Sequence, residues 1–397
     1  MTCQIDFKKK LDEFIDQDMD YIAGRCADLF SKEIGGVADR LILFGAGNLG
    51  RKTLAGLRKL GIEPLCFADN NPKSWNTMVD GARVISPTEA AQNYGDNAGF
   101  VITVYSPGDD RQLSKIRKSL QDMGCRIVAP FTHLFWEHPE LFLPHNWIDL
   151  PTNACRSADE IRKIFDLLAD DTSRMEFLAR LRWIVSSADF ELIPNGMEDS
   201  TYFPDDLFQL SDHEVFIDCG AYDGDTIQGL LKRVGSAFSK VLALEPDPGN
   251  YSLLQAYIGA LPDDVRSKIS VIPVATGGAS GKAGFSALGT VGSQISSIGD
   301  IEVDVRTIDS LVGDMRTTYI KMDIEGAELD AIEGARETIK RDLPILAISA
   351  YHRQEHLWEV PELIRGISSD YTFYMRRHGD QWGDLVYYAV PPERLIA

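Results

Sequence analysis

Short apolar runs alternate with stretches of helical apolar spacing along most of this chain. Residues 5–34 carry apolar side chains at helical spacing and predict an amphipathic helix. Within residues 36–132, "DRLILFGAGNLGRKTLAGLRKLGIEPLCFADNNP" predicts a strand, a glycine turn, a helix and a second strand. "GARVIS", "GFVITVYSP" and "CRIVAP" predict three further strands with helices between them. Strands that alternate with helices are typical of a parallel doubly wound sheet. We therefore expect an N-terminal helical segment over residues 1–35 and a Rossmann-like domain over residues 36–132.

The alternation stops in residues 133–210, which are first rich in aromatic residues and proline and then helical, and which we interpret as a linker and helical cap. It returns in residues 211–397, where five apolar runs predict strands: "EVFIDCG", "KVLALEP", "ISVIPVA", "TTYIKMDIEG" and "PILAISAY". The last segment, "YTFYMRRHGDQWGDLVYYAVP", predicts two strands joined by a tight connection. The fold class is therefore α/β, with two Rossmann-like doubly wound domains and an antiparallel finish to the second.

Charge and cysteine usage narrow the classes of partner. The 397 residues carry a formal net charge of −20, which disfavours nucleic acid and anionic lipid as partners. Six cysteines without a CxxC pair predict neither a zinc site nor a disulfide framework and suit a reducing cytoplasm. No apolar run approaches the roughly 18 residues that span a bilayer, and the N-terminus lacks a signal-peptide core. We expect a cytoplasmic protein whose partner is a small molecule or a glycan, and the helical segment 155–190 is a candidate subunit contact for a homo-oligomer.

An acidic glycine loop follows the first strand of the C-terminal half. The pattern Asp218-x-Gly220-x-x-x-Gly224 leads into a helix, and Glu245-Pro246 ends the next strand. These carboxylates would repel a phosphate, whereas they would attract a ligand that carries an ammonium and a sulfonium group. A carboxylate after the second strand is the usual acceptor for ribose hydroxyls. The pattern indicates S-adenosylmethionine rather than NAD; the alternative is that the acidic residues only form turns and cap helices.

A second glycine loop lies in the N-terminal half. Gly45, Gly47 and Gly50 follow a strand in the GxGxxG spacing, Asn48 lies between them, and Asp69 stands where a ribose carboxylate belongs. NAD, a nucleotide-sugar or a purely structural role all fit this pattern. Because no hydride-transfer pair is evident, we favour a nucleotide-binding domain over a dehydrogenase.

Five segments of the C-terminal half resemble, in order, the FkbM-type methyltransferases: "VFIDCGAYDGDT", "VLALEPDPGNYSLL", "VRTIDSLV", "YIKMDIEGAELDAIEGA" and "LAISAYH". The resemblance covers roughly residues 213–391 and implies a class I methyltransferase fold that uses S-adenosylmethionine to O-methylate hydroxyls of sugars and related products. It matches Asp218, Gly220 and Gly224 to the family's cofactor loop and Glu245 to its ribose carboxylate. We also count Cys219, Ala221, Asp225 and Pro246 as cofactor-binding candidates, and, because no acidic residue is evident for the adenine amine, the backbone of Ala275 or Thr276. The alternative is an NAD-dependent or nucleotide-sugar-modifying enzyme centred on the N-terminal loop.

Three residues near the ends of the fourth and fifth predicted strands are candidates for catalysis. Asp323 and Glu325 belong to "KMDIEGAE", and His352 follows the fifth strand with an ordinary pKa that suits a general base. The alternative is that Asp323 and Glu325 only stabilise a helix N-terminus and that His352 is a hydrogen-bonded residue at a strand end. The three could also bind a divalent metal, but their spacing is not specific, so we predict no metal. The Gly/Ser-rich segment 286–299 is a candidate substrate loop.

Overall fold

The computed structural model describes residues 6–104, 113–186, 201–287, 294–295, 299–378 and 385–396. The chain divides into two compact units, one of residues 1–158 and 178–193 and the other of residues 159–177 and 194–397. The segment predicted as linker and helical cap, 133–210, therefore contributes to both units. No helix in these described ranges is both long and apolar enough to cross a membrane.

Three short helices stand where residues 5–34 predict one. They are α1 (Phe7–Ile15), α2 (Met19–Cys26) and α3 (Leu29–Ile34). The long helix is broken because Asp18 caps a new one: its carboxylate accepts hydrogen bonds from the backbone N–H groups of Asp20 and Tyr21. Aspartate favours this capping position over a helix interior.

The first unit contains the predicted doubly wound sheet. Its strands are β1 (Leu41–Phe44), β2 (Cys66–Ala68), β3 (Met78–Val79), β4 (Ala82–Ile85), β5 (Gly99–Ile102) and β6 (Ile127–Pro130). They lie in the order β3-β4-β2-β1-β5-β6, and all neighbours are parallel except the pair β3 and β4. Helices α4 (Asn48–Lys59), α5 (Pro87–Tyr94) and α6 (Leu113–Asp122) connect the strands. The glycine loop follows β1, where the strand order reverses.

Four further helices follow the first sheet along the chain, and a fifth continues from them. These are α7 (Phe131–Glu137), α8 (Pro139–Phe142), α9 (Thr152–Arg156), α10 (Ala158–Leu167) and α11 (Asp171–Ser186). In the first unit, Trp147 and Trp183 pack with ring centroids 3.6 Å apart. The predicted helical character of this region is thus observed.

The second unit is built on a seven-stranded sheet in the order β16-β17-β15-β14-β7-β8-β9. Its strands are β7 (Val215–Cys219), β8 (Lys240–Leu244), β9 (Ile269–Ile272), β14 (Tyr319–Met322), β15 (Ile345–Ser349), β16 (Thr372–Arg377) and β17 (Leu385–Val390). Strand β17 is antiparallel to both β15 and β16, which confirms the predicted antiparallel finish. The acidic loop follows β7, the point at which this sheet reverses its strand order.

Besides most of α10 and the first part of α11, the described part of the second unit contains α12 (Asp225–Val234), α13 (Pro248–Gly259), α14 (Asp263–Arg266), α15 (Ile308–Val312), α16 (Glu328–Glu333), α17 (Arg336–Asp342) and α18 (His356–Ile367). The apolar core includes Phe203, Phe216 and Tyr319, whose rings make edge and tilted contacts 5.1–5.9 Å apart. This core packs against the sheet and holds in place the strands that lead into the loops of the site.

A small second sheet was not predicted. It contains β10 (Ala275–Thr276), β11 (Gly281–Ser286), β12 (Gln294–Ile295) and β13 (Ile301–Arg306), in the order β10-β13-β11-β12. The run "ISVIPVA", expected to be one strand, splits into β9 and β10 around Pro273, which has no backbone N–H to extend a ladder. Most of the candidate substrate loop 286–299 lies outside the described residues.

We expect the two glycines of the N-terminal loop to respond differently to substitution. A Cβ at Gly50 would lie 2.0 Å from the carbonyl oxygen of Gly45, so Gly50→Ala should lower the free energy of unfolding by about 2–4 kcal/mol. Nothing lies within 4 Å of a Cβ at Gly47, the N-cap of α4, so Gly47→Ser should change it by less than about 0.5 kcal/mol or raise it. Urea unfolding of both variants measures the difference. Equal stability of the two would show that Gly50 does not serve this packing role.

Candidate functional site

A buried ion pair lies at the centre of the second sheet. Lys321 stands opposite Asp218 in the pairing of β14 with β7, and its Nζ lies 3.0 Å from Asp218 Oδ1. Both side chains are almost completely buried. Burial raises the pKa of Asp218 to about 6 although Lys321 opposes this, and the surrounding aspartates outweigh burial to raise the pKa of Lys321. At neutral pH the pair is therefore charged, and the chain itself supplies an ammonium group to Asp218.

The same lysine fixes the acidic loop. Lys321 Nζ donates a hydrogen bond to the carbonyl oxygen of Gly220 at 2.7 Å. The N–H groups of Gly220 and Ala221 donate to the carbonyl of Leu244 at the end of β8. In the described part of the chain, Asp218 Oδ2 has no hydrogen-bond partner. The loop is thus held rigidly, with one buried carboxylate oxygen still available as an acceptor.

Gly220 and Gly224 are required by the protein's own packing. Both have positive φ angles, +80° and +96°. A Cβ at Gly220 would lie 2.0 Å from the carbonyl oxygen of Asp323, and one at Gly224 would lie 2.6 Å from the ring of Tyr257. At these two glycines the backbone therefore lies close to Asp323 and Tyr257 of the protein itself. Ligand contact at the two glycines stays a prediction.

Glu245 follows β8 directly and lies beneath the same loop. Its Oε2 accepts a hydrogen bond from the N–H of Tyr222 at 2.9 Å, and its Oε1 accepts one from Asp247 at 2.8 Å. Burial raises the pKa of Glu245 to about 7, and the two backbone donors lower it only in part. Because each oxygen has used one acceptor position, the carboxylate keeps capacity for two further donors. This is the chemistry that a pair of ribose hydroxyls requires.

The remaining predicted cofactor residues surround this loop or lie near its end. Cys219 ends β7 and is fully buried, Pro246 follows Glu245, and Asp225 begins α12, where its carboxylate accepts a hydrogen bond from the N–H of Thr226. Ala275 and Thr276 form the buried strand β10. Thr276 lies near the Cys219 thiol, which places the predicted adenine residues beside the end of β7, and its hydroxyl makes no hydrogen bond within the described residues.

Asp323 follows β14 and is the hub of a second group of polar side chains. Its Oδ2 accepts a hydrogen bond from the hydroxyl of Tyr202 at 2.7 Å, and its Oδ1 accepts one from Tyr351 at 2.9 Å. Burial alone would raise the pKa of Asp323, but Lys321, His352 and the two hydroxyls hold it below its ordinary value. Asp323 is therefore a stable carboxylate at neutral pH.

His352 lies against Asp323, as the sequence predicts. Its Nε2 is 3.3 Å from Asp323 Oδ1 and 3.7 Å from Glu325 Oε2, while its Nδ1 is 2.8 Å from Glu328 Oε1. Burial would lower the pKa of His352, but the three carboxylates raise it to about 9. The imidazole therefore carries a proton at neutral pH in this arrangement. This charge state disfavours the general-base role predicted for it.

Glu325 is strained and partly accessible. It has a φ of +55°, a left-handed conformation that is uncommon for a glutamate. Its side chain keeps 28% of its exposure, and burial raises its pKa to about 7. Strained residues of this kind concentrate at functional sites. The three predicted catalytic residues, Asp323, Glu325 and His352, thus come together at one place.

Four residues of this site were not singled out from the sequence: Lys321, Glu328, Tyr202 and Tyr351. The sequence contains a feature that could have indicated two of them. Lys321 is a charged residue in an otherwise apolar predicted strand, and Glu328 lies three residues beyond Glu325 in "EGAE". Tyr202 has no such feature, because it lies in an irregular segment far from β14 in sequence. Its φ of +65° and the hydrogen bond from its N–H to the hydroxyl of Tyr388 set its position.

The N-terminal loop repeats the carboxylate arrangement of the acidic loop. Asp69 follows β2 and accepts hydrogen bonds from the N–H of Ala46 in the glycine loop and from Asn71, both at 2.8 Å. Glu245 is bonded in the same way, to the loop and to the residue two positions on. Gly45 has a φ of +114°, and Asn48 begins α4. Nucleotide binding by Gly45, Gly47, Asn48, Gly50 and Asp69 stays a prediction.

Comparison with known proteins finds a family match for the segment that contains the acidic loop and Asp323. Residues 218–381 match the family model described as methyltransferase FkbM domain. These residues form a methyltransferase FkbM domain. The resemblance found in the sequence is therefore confirmed for the C-terminal half, which makes this part of the chain a methyltransferase. No curated protein matches the chain.

The solved structures extend the likeness of the fold beyond the FkbM domain. A crystal structure of methyltransferase FkbM from Methylobacillus flagellatus KT matches with a TM-score of 0.76 and 24% identity, over 97% of this chain and 100% of that one. The match covers both halves, and it shows the fold. A putative rRNA-methylase from Clostridium thermocellum matches 48% of this chain and 90% of its own at 10% identity, with a TM-score of only 0.32.

The protonated state of His352 predicts a dependence of stability on pH. The protein is first treated with a chelator to remove any metal ion that would compete for His352. The free energy of unfolding should then fall by about 1–3 kcal/mol as pH rises from about 6.5 to about 9, because the folded state holds the proton of His352 more tightly than the unfolded state. The stabilisation is complete below the unfolded pKa and is lost as pH rises through the folded one. Urea unfolding at several pH values measures it. His352→Gln should remove most of this slope, and an unchanged slope in that variant would contradict the assignment.

Proposed function

We propose that the FkbM domain transfers a methyl group from S-adenosylmethionine to a hydroxyl of a sugar, glycan or related small molecule. The observation that carries the proposal is the direct contact between the acidic loop and the Asp323 group. The N–H of Asp323 donates to the carbonyl of Cys219 at 3.1 Å, and Gly220 packs against the Asp323 carbonyl. A loop suited to the cofactor and a cluster suited to handling a proton therefore share one edge of one sheet.

The residues of the loop fit the cofactor chemically. Glu245 has acceptor positions for two hydroxyl donors, and Asp218 Oδ2 is a buried acceptor without a partner in the described ranges. S-adenosylmethionine would supply a methyl group whose carbon the acceptor oxygen attacks in line, as the carbon–sulfur bond breaks and S-adenosylhomocysteine leaves. Glu245 would hold the ribose, and the loop from Asp218 to Gly224 would hold the amino acid part. The negative charge of this region favours a cation over a phosphate.

The second group would bind and activate the acceptor. A hydroxyl must lie about 3 Å from the methyl carbon and lose its proton as the bond forms. Asp323 and Glu325 are the partly exposed carboxylates beside His352. Asp323, a stable carboxylate, is suited to bind the hydroxyl, and Glu325, whose pKa burial raises to about 7, is suited to take its proton. The imidazolium of His352 stabilises the negative charge near them, and Glu328 holds its ring.

The hydroxyl class of acceptor is the finer part of this proposal. Carboxylates beside a cationic imidazole suit a neutral hydroxyl, which must lose a proton to react, and the FkbM-type family largely modifies such groups. The alternative of an NAD-dependent or nucleotide-sugar-modifying enzyme is not favoured, since the family match lies in residues 218–381.

We expect sugars with free hydroxyls to stimulate formation of S-adenosylhomocysteine by the full chain. Asp323→Asn should lower the rate at least about 100-fold, because it removes the carboxylate that binds the hydroxyl, while the Kd for S-adenosylhomocysteine changes less than about threefold. The matched control is Asp330→Asn, an exposed aspartate on α16, which should retain the rate. Mass spectrometry and NMR of the product identify the methylated atom. Methyl transfer to nitrogen or carbon, or full activity of Asp323→Asn, would contradict the proposal.

A further inference from the structure

Three atoms with the chemistry of metal ligands converge beside β14. They are Asp323 Oδ1, Glu325 Oε2 and His352 Nε2, with the nitrogen 3.3 Å and 3.7 Å from the two oxygens. Ligand atoms bound to one ion at about 2.1 Å lie roughly 3.0–3.4 Å apart in octahedral or tetrahedral geometry. The imidazole nitrogen therefore already lies close to coordination-shell spacing from each of the two oxygens.

His352 provides an independent sign that a ligand belongs here. The side chain is 94% buried, being 6% exposed, and its Nε2 makes no hydrogen bond within the described residues. That nitrogen is directed at Asp323 and Glu325, yet neither contact has hydrogen-bond geometry. Buried polar atoms without a partner are rare in folded proteins and call for an occupant.

Glu328 completes the arrangement from the other side of the ring. Its Oε1 lies 2.8 Å from His352 Nδ1 and also accepts the N–H of Ile324 at 3.0 Å. Metal-binding histidines usually donate their second N–H to a carboxylate in this way, which orients the ring and makes the other nitrogen a better ligand. Atoms of Asp323, Glu328 and His352 lie within 4.8 Å of one another, but Oε1 of Glu328 is engaged with His352 Nδ1, which makes Glu328 a positioning residue.

We propose that Asp323, Glu325 and His352 bind one divalent cation, with Glu328 orienting His352. This inference departs from the expectation of no metal that sequence spacing gave. Two carboxylates and one imidazole favour a transition-metal ion such as Mn²⁺ over Mg²⁺ or Ca²⁺, which prefer oxygen alone. Side chains of Asp323 and Glu325 that are 25% and 28% exposed leave the site open to an exogenous ligand.

The use of this cation rests on the proposed function, although its binding does not. Three protein ligands leave coordination positions for an acceptor oxygen, as in catalytic metal sites. With a cation bound, Asp323 and Glu325 would act as its ligands in place of the direct role given to them above. The cation would lower the pKa of a bound hydroxyl, whose proton would leave to solvent. The cation would also replace the proton that His352 carries in its absence.

Titration of the chelator-treated full chain with Mn²⁺, followed by the EPR signal of free Mn²⁺, tests the site without reference to activity. We expect one bound Mn²⁺ per chain. Glu325→Gln and Asp323→Asn should each weaken binding at least about tenfold, and Glu328→Gln about 10–100-fold through the orientation of His352. Glu325→Gln is the least disruptive of these, because its side chain is partly exposed. The matched control is Glu362→Gln, an exposed glutamate on α18, which should bind as the unmodified chain does.

The proposal is overturned if the unmodified chain leaves all Mn²⁺ free, or if Glu325→Gln and Asp323→Asn bind it as well as the control. Calorimetry with S-adenosylhomocysteine on the same samples separates the two hypotheses. Binding of S-adenosylhomocysteine without Mn²⁺ would overturn the cation site and leave the proposed function standing. Binding of Mn²⁺ without S-adenosylhomocysteine would support the cation site and contradict the methyl transfer.

Discussion

The buried ion pair between Asp218 and Lys321 is the interaction on which the site depends. It joins neighbouring strands at the point where the sheet reverses its order, and the same ammonium bonds the Gly220 carbonyl of the acidic loop. A buried pair contributes little net stability, but removing one partner leaves the other charged and unpaired, at a cost of about 3–5 kcal/mol. We interpret the pair as a device that fixes position. It sets the loop against Asp323, whose carboxylate it also helps to keep ionised.

The two halves of the chain share one loop design and differ in charge. In each, the carboxylate after the second strand accepts one N–H from the glycine loop and one from its own turn. The position two residues before the first loop glycine is Asp218 in one half and Leu43 in the other. The shared part is therefore structural, since it holds loop and strand together in both. The acid of β7 is paired with Lys321, and this buried ion pair is the feature that the glycine loop after β1 does not share.

Much of this could be predicted from residue patterns, and the failures have physical causes. Strand and helix alternation gave both sheets, and Asp323, Glu325 and His352 meet as expected because strands β14 and β15 are neighbours. The single helix over 5–34 failed because a capping aspartate outweighed apolar periodicity. The small sheet of β10 to β13 and the role of Tyr202 depend on contacts between segments that are distant in sequence. Local residue patterns do not predict such contacts. The charge of His352 likewise follows from Glu328, which only the folded chain brings within 2.8 Å.

The proposed function requires that the cofactor binds the acidic loop of the C-terminal half. Titration calorimetry with S-adenosylhomocysteine on Glu245→Ala and on Asp69→Ala tests it most directly, because the two carboxylates have matched hydrogen bonds in the two halves. We predict that the unmodified chain binds the ligand, that Glu245→Ala weakens binding at least about tenfold through the lost ribose contacts, and that Asp69→Ala leaves it unchanged. Loss of binding in Asp69→Ala with full binding in Glu245→Ala would contradict the account and assign the cofactor to the other loop.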